Sequence, residues 1–133
     1  MLKQTTYDLE ERTTRFGEDI VVFARIIPKD VVTLPIINQL VKAGTSVGAN
    51  YCEADDAESR RDFIHKLGIA KKEARETSYW LRVLAMAVPE LKDETQGLRQ
   101  EAKELNLIFN AIIRSADRNE LKKMTASAHA RES

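Results

Sequence analysis

This sequence predicts an all-α fold, an antiparallel up-down-up-down four-helix bundle, and three observations carry the prediction. Four segments repeat apolar or small residues at alternating four- and three-residue gaps, the pattern of one buried stripe per helix. The three prolines, Pro28, Pro35 and Pro89, fall at or beside the breaks between those segments, where a residue without an N–H is tolerated. Five glycines and three prolines in 133 residues are too few for the turns of an all-β chain.

The longest seam defines the third helix. From Ser59 to Val88 it runs Phe63, Leu67, Ala70, Ala74, Thr77, Leu81, Leu84, Val88, a helix of roughly 45 Å at about 1.5 Å per residue. Ser59 is its N-cap, and Asp62 three residues on resembles a capping box with a shorter acid. The first helix reads Leu9, Thr13, Phe16, Ile20, Phe23, Ile27 and ends at Pro28. The second starts near Thr33 as N-cap, with Pro35 in its first turn. Its seam is Ile37, Leu40, Gly44, Val47, Tyr51, Ala54. The fourth follows Pro89 with Leu91, Thr95, Leu98, Ala102, Leu105, Phe109, Ile112, Ala116. The expected boundaries are 9–27, 33–55, 59–88 and 90–117. Residues 1–8 read as a frayed lead, and 118–133 as a disordered or weakly helical tail.

Charge excludes some classes of function and leaves others. Twenty-one Lys and Arg balance twenty-one Asp and Glu, so no global field marks a polyanion binder. Locally the balance breaks. Residues 31–58 hold one Lys and four acids, residues 59–88 seven Lys or Arg and three acids, and residues 89–117 are net negative by two. The opening MLKQTTYDLEERTTRF has no apolar core of a signal peptide, and no run reaches the roughly 18 apolar residues of a membrane span. The single cysteine, Cys52, suits a reducing compartment. A cytoplasmic protein with no membrane partner is expected.

Two surfaces invite a functional reading. From Ala43 to Cys52 the second helix has ten residues and no charge, although a bundle helix should be polar away from its seam. This face, with Ala43, Ser46, Gly48, Ala49, Asn50, Glu53 and Trp80 as expected contacts, predicts self-association. On the third helix, Arg61, Arg75 and Arg82 share one outward heptad position, with His65, Lys72 and Tyr79 on the next. Arg60 and Lys66 flank them. The stripe of Arg60, Arg61, Lys66, Lys72, Arg75, Tyr79 and Arg82 reads as a track for nucleic-acid phosphates, with Tyr79 available to stack a base. A solvated charged face explains the same pattern.

Catalysis finds no support. A di-iron bundle needs Glu-x-x-His on two helices, and neither Glu73 nor Glu76 has a histidine three residues on; the histidines are His65 and His129. Cys52 has no inferable base. The run Gly44 to Gly48 lacks the Lys of a phosphate loop. No cofactor or metal is expected.

The run GTSVGANYCEADDAESRRDFIHKLGIAKKEARETSYWLRVL resembles the ribosomal RNA intervening-sequence protein family, a relative of the accessory variability protein of diversity-generating retroelements. The resemblance rests on Ser46, Asn50 and Glu53 in an S-x-x-x-N-x-x-E block, on Arg61, Asp62 and Phe63, and on the block from Lys72 to Leu81. It departs at Glu53–Ala54, where many members have Glu-Gly; the second helix is therefore expected to run past Glu53. The resemblance implies a bacterial, non-enzymatic homopentameric ring that binds RNA or DNA, with the charge-free second helix between subunits. The alternative is a protein–protein interaction module without a nucleic-acid ligand.

Overall fold

The computed structural model describes residues 8–132, with side chains through Ala130. Four helices run in order: α1 (Leu9–Ile26), α2 (Thr33–Asp55), α3 (Arg60–Ala87) and α4 (Lys92–Glu132), with a 3₁₀ turn over Pro89–Leu91 before α4. Each helix packs on its neighbours in sequence, and α1 closes the ring against α4. Paired residues rise along one helix as they fall along the next: Lys66 meets Glu53, and Lys71 meets Asn110 while Arg99 meets Ser78. That is the register of antiparallel neighbours joined by short turns. Apart from Asp8, the expected N-terminal lead lies outside the described residues.

The seams are buried over most of their length, with Ile36 in place of Ile37 in α2 and with Tyr51, Phe63, Leu91, Leu98 and Ile112 half-buried at the core's edge. Phe16, Ile20, Leu40, Val47, Leu67, Leu81, Leu84, Leu105 and Phe109 have essentially no solvent contact. Phe109 reaches across the bundle to stack on Tyr51, ring centroids 6.2 Å apart. Thr13, Thr77 and Thr95 are buried polar residues. Each hydroxyl donates to a backbone carbonyl of its own helix, those of Glu10, Glu73 and Lys92, so no polar cost is left in the core.

Local stops follow the sequence with one shift. Ile27 is extended before Pro28, at φ −72 and ψ 127, as the proline ring requires. At α2 the capping moves upstream. Thr33 is already helical, and the Asp30 carboxylate accepts the N–H groups of Val32 and Thr33 at 2.8 and 2.9 Å. These bonds hold the Asp30 carboxyl below its usual range. The Thr33 hydroxyl turns back and donates to the Pro28 carbonyl at 2.6 Å. Ser59 caps α3 by accepting from Asp62 N–H at 3.0 Å. The second helix does run past Glu53, ending at Asp55.

Two expectations are corrected here. Ala43 and Gly48 are not on a subunit-facing surface; both are buried inside the chain. The reason is the α1–α2 crossing. A Cβ on Gly44 would lie 2.8 Å from Ile20, and one on Gly48 would lie 3.2 Å from the Thr13 carbonyl oxygen. The small residues admit α1. The second correction is the end of the fourth helix, expected near residue 117 with a disordered or weakly helical tail beyond it. Helix α4 continues without interruption to Glu132, although every described side chain beyond Ala116 is exposed. Residues 118–132 contain neither glycine nor proline and include Leu121, Lys122, Lys123, Met124 and several alanines, all strong helix formers. An ion pair from Arg60 to Glu120, at 3.4 Å, ties the start of this overhang to α3.

The thin side of the ring is α1 against α4. There the Arg12 guanidinium binds Glu101 through two bonds of 2.8 Å and reaches Glu104 at 3.0 Å. The paired geometry keeps Arg12 charged well above its usual range and fixes the closing register.

The glycines give a direct test of this packing. Gly44→Ala is expected to lower stability by about 1–3 kcal/mol through overpacking against Ile20. Gly97→Ala meets nothing within 4 Å and is expected to raise stability by about 0.5–1 kcal/mol, the ordinary helix preference for alanine. Urea denaturation of the two variants measures both signs.

Candidate nucleic-acid interface

Helix α3 carries the predicted stripe, and the structure divides it. Arg60 is held by Glu120, and Lys66 donates to Glu53 at 3.1 Å. Arg61, Lys72, Arg75, Tyr79 and Arg82 are exposed. None of the four cations among them has an ion-pair partner among the described residues. Arg61 and Lys72 stand apart from the cavities described below. Arg75 and Arg82 instead lean toward α4 and line a cleft between the two helices.

That cleft has a volume of about 570 Å³. Its floor is made by Ala74 and Ala102, both buried. Its α3 wall is Lys71, Arg75 and Ser78; its α4 wall is Gln96, Arg99, Gln100, Lys103 and Asn106. A second cavity of about 790 Å³ continues it toward the Pro89 end, sharing Gln96 and Arg99 and adding Tyr79, Arg82, Val83, Met86 and Lys92. No carboxylate lines either one. The cleft cations are positioned by neutral groups. Lys71 donates to the Asn110 side-chain oxygen at 3.0 Å, Asn106 donates to the Lys71 carbonyl at 2.9 Å, and Arg99 Nε points at the Ser78 hydroxyl at 3.5 Å. Their positive charge is left uncompensated. Tyr79, on the wall of the second cavity, is 57% exposed and edge-on to Trp80 with centroids 5.0 Å apart.

Sequence reasoning missed the α4 wall because it summed α4 as net negative. The acids and cations occupy different edges. Glu94 and Glu101 line the α1 side together with Arg12, whereas Lys92, Arg99 and Lys103 line the α3 side. The signal was present. Lys92, Gln96, Arg99, Lys103, Asn106 and Asn110 repeat at four-three spacing, as do Lys71, Arg75, Ser78 and Arg82. Each is a polar seam running beside the apolar one.

The expected self-association face is smaller than the sequence suggested. With Ala43 and Gly48 inside, Ser46, Ala49, Asn50, Glu53 and Trp80 remain at least partly accessible. Ser46 donates to the Lys42 carbonyl and Asn50 to the Ser46 carbonyl, and Trp80 donates to Glu76 at 3.4 Å. A neighbouring α1–α2 cavity of about 640 Å³ is mostly uncharged, lined by Val21, Val22, Thr45, Ala49 and Cys52 with Glu18 at its rim. Burial, followed by Glu10, pushes the Cys52 thiol up, and the thiol donates to Glu10 at 3.8 Å. A thiol kept protonated is a poor nucleophile. Among the described residues no three His, Cys, Asp or Glu converge as metal ligands, and no helix is long and apolar enough to cross a membrane.

Fold and surface together define a class: a small all-α bundle whose distinctive chemistry is a carboxylate-free polar cleft. Comparison with known proteins gives the family. The chain matches the 23S rRNA-intervening sequence protein family over residues 6–111 and belongs to it. It is also similar to a solved protein of unknown function from the S23 ribosomal protein family of Bacteroides thetaiotaomicron. That pair shares 34% identity with a TM-score of 0.72, over 78% of this chain and 96% of the other. No functionally curated protein matches. The family match stops at residue 111, whereas α4 runs on to Glu132.

The α2–α3 edge makes a pH prediction. Burial, then the neighbouring Glu76, raises the Glu73 carboxyl, against a Ser46 hydrogen bond and Lys42 that lower it. A carboxyl raised in the folded state costs stability when ionised, in full above its folded pKa. Below its unfolded pKa it is protonated in both states and the cost disappears. Glu73→Gln is therefore expected to raise the Tm at pH 7 and to lose that advantage as pH falls through the Glu range. Thermal melts at the two pH values check it.

Proposed function

We propose that the protein is a non-enzymatic, homo-oligomeric helical bundle that binds RNA or DNA through its backbone phosphates on the α3–α4 face. The observation that carries this reading is the cleft itself. Cations from two helices line it with no carboxylate among them, Lys71 and Arg99 meet an amide and a hydroxyl, and Glu94 and Glu101 lie on the opposite edge. A face organised in this way suits a polyanion better than a scattered surface does. The family name refers to 23S rRNA and the solved relative belongs to a ribosomal-protein family, which is consistent with an RNA setting. Arg61 and Lys72 add charge along the exposed ridge of α3.

Self-association is the second part of the reading. The partly accessible small and neutral residues of α2, with Val21 and Val22 exposed beside them on α1, support a contact between copies. The number five comes from the family resemblance. A closed ring would repeat the cleft around its axis and add the fields of all copies.

Four phosphate contacts per protomer, by Lys71, Arg75, Arg99 and Lys103, predict a log affinity that falls with log salt at a slope of about −3 to −4. Arg75→Glu with Arg82→Glu should weaken binding steeply and flatten that slope. Fluorescence anisotropy across a salt series measures both; an affinity indifferent to salt would overturn the reading. Light scattering tests the assembly: a pentamer of the 15.1 kDa chain is expected, and a monomer at micromolar concentration contradicts it.

A further inference from the structure

We infer that the α3–α4 cleft takes an unpaired nucleic-acid strand in preference to a duplex. The inference rests on the nucleic-acid reading above and specifies its ligand. It starts from what the cleft contains besides charge. Beside Arg75 and Arg99 the cleft is lined by Ser78, Gln96, Gln100 and Asn106; Asn106 and Gln100 already donate to the Lys71 carbonyl and to Glu104, which leaves their side-chain oxygens and the whole Gln96 amide for a ligand. Backbone phosphates need only positive charge and donors. Amides that both donate and accept match base edges and sugar hydroxyls.

A duplex leaves those groups unused. Its base edges are recessed in its own grooves, and a backbone ridge laid into a cleft between two helices presents phosphates and sugars to both walls. Adjacent packed helices stand about 8–10 Å apart, too close to admit the duplex as a whole. One strand can enter, place its phosphates between the two cation rows and turn its base edges to the amides. The small floor residues, Ala74 and Ala102, give the recess its depth.

Tyr79 carries the argument independently. The residue is 57% exposed, its ring stands edge-on to Trp80, and it lines the second cavity together with Arg82. An exposed aromatic ring beside a cation track is the platform on which unpaired bases stack. A base inside a duplex has both faces covered by its neighbours and gains nothing from it. The cation rows, Lys71 to Arg82 on α3 and Lys92 to Lys103 on α4, each extend about 16 Å at 1.5 Å per residue, which suits a short run of nucleotides.

The test uses the full chain at one fixed low salt concentration. A labelled 12-nucleotide RNA, its DNA counterpart, and each annealed to its complement are titrated by anisotropy. The single strands are expected to bind at least about tenfold tighter than the duplexes, and comparison of the two separates RNA from DNA. Tyr79→Ala should weaken the single strands by about 5- to 150-fold, the range of one base–aromatic stack, and leave duplex binding unmoved. Tyr79→Phe should retain wild-type affinity. Duplex binding as tight as single-strand binding, or equal loss on both in Tyr79→Ala, overturns this inference and leaves backbone binding standing. Absence of binding to all four probes overturns the nucleic-acid reading and this inference with it.

Discussion

The structure depends on close approach at its waist. Ala43 and Gly44 on α2, Ala70 and Ala74 on α3, and Ala102 on α4 are all buried, and they let helix backbones come together where larger side chains would hold them apart. The consequence reaches the surface. With small residues below, the long polar side chains of α3 and α4 rise on either side of a recess. The same approach on the other side of α2 brings Ile20 against Gly44 and Thr13 against Gly48. Core packing and cleft geometry are therefore one constraint, and an enlarged waist would disturb both.

Charge is sorted by that arrangement. Over residues 94–103 helix α4 places Glu94 and Glu101 on its α1 edge and Arg99 and Lys103 on its α3 edge, whereas Glu120 further on pairs with Arg60 of α3. The acidic edge is used structurally, where Glu101 and Glu104 hold Arg12 and close the ring. The basic edge faces α3 and no carboxylate lines its cleft, although the cleft's Gln100 donates to Glu104 at 3.2 Å. Net charge near zero and a carboxylate-free cleft are compatible because α4 acids such as Glu94 and Glu101 lie at the α1–α4 seam instead. That seam is also the thinnest contact of the four, so local opening would begin there and leave the α2–α3–α4 packing in place. The overhang of α4 beyond Ala116 buries nothing within the chain and extends past the residues shared with the family.

Much of the fold was legible from spacing. The apolar seams, the breaks at Pro28 and Pro89, the Ser59 cap and the run of α2 beyond Glu53 all follow from local chemistry. What the sequence hid was partner identity. Ala43 and Gly48 read as surface because small neutral residues serve equally between helices of one chain and between chains. The start of α2 at Thr33 held, but its capping residue was misassigned, because Asp30, lying in a loop, reaches the N–H groups of Val32 and Thr33. The tail read as disordered or weakly helical because it lacks a seam, and its helix is built mostly of good helix formers. The candidate site was half legible. Arg75, Tyr79 and Arg82 were named from α3, but Lys71, Arg99 and Lys103 needed a second four-three register to be traced on two helices at once.

On the proposed reading the α3–α4 cleft is the surface that meets a nucleic acid. Hydrogen–deuterium or chemical-shift mapping of the protein with and without a short single-stranded RNA tests this most directly. The account predicts changes concentrated on residues 71–82 and 92–106, with α1 and the outer face of α2 unaffected. Changes confined to α1 and α2, or spread evenly over every lysine and arginine of the surface, would contradict it.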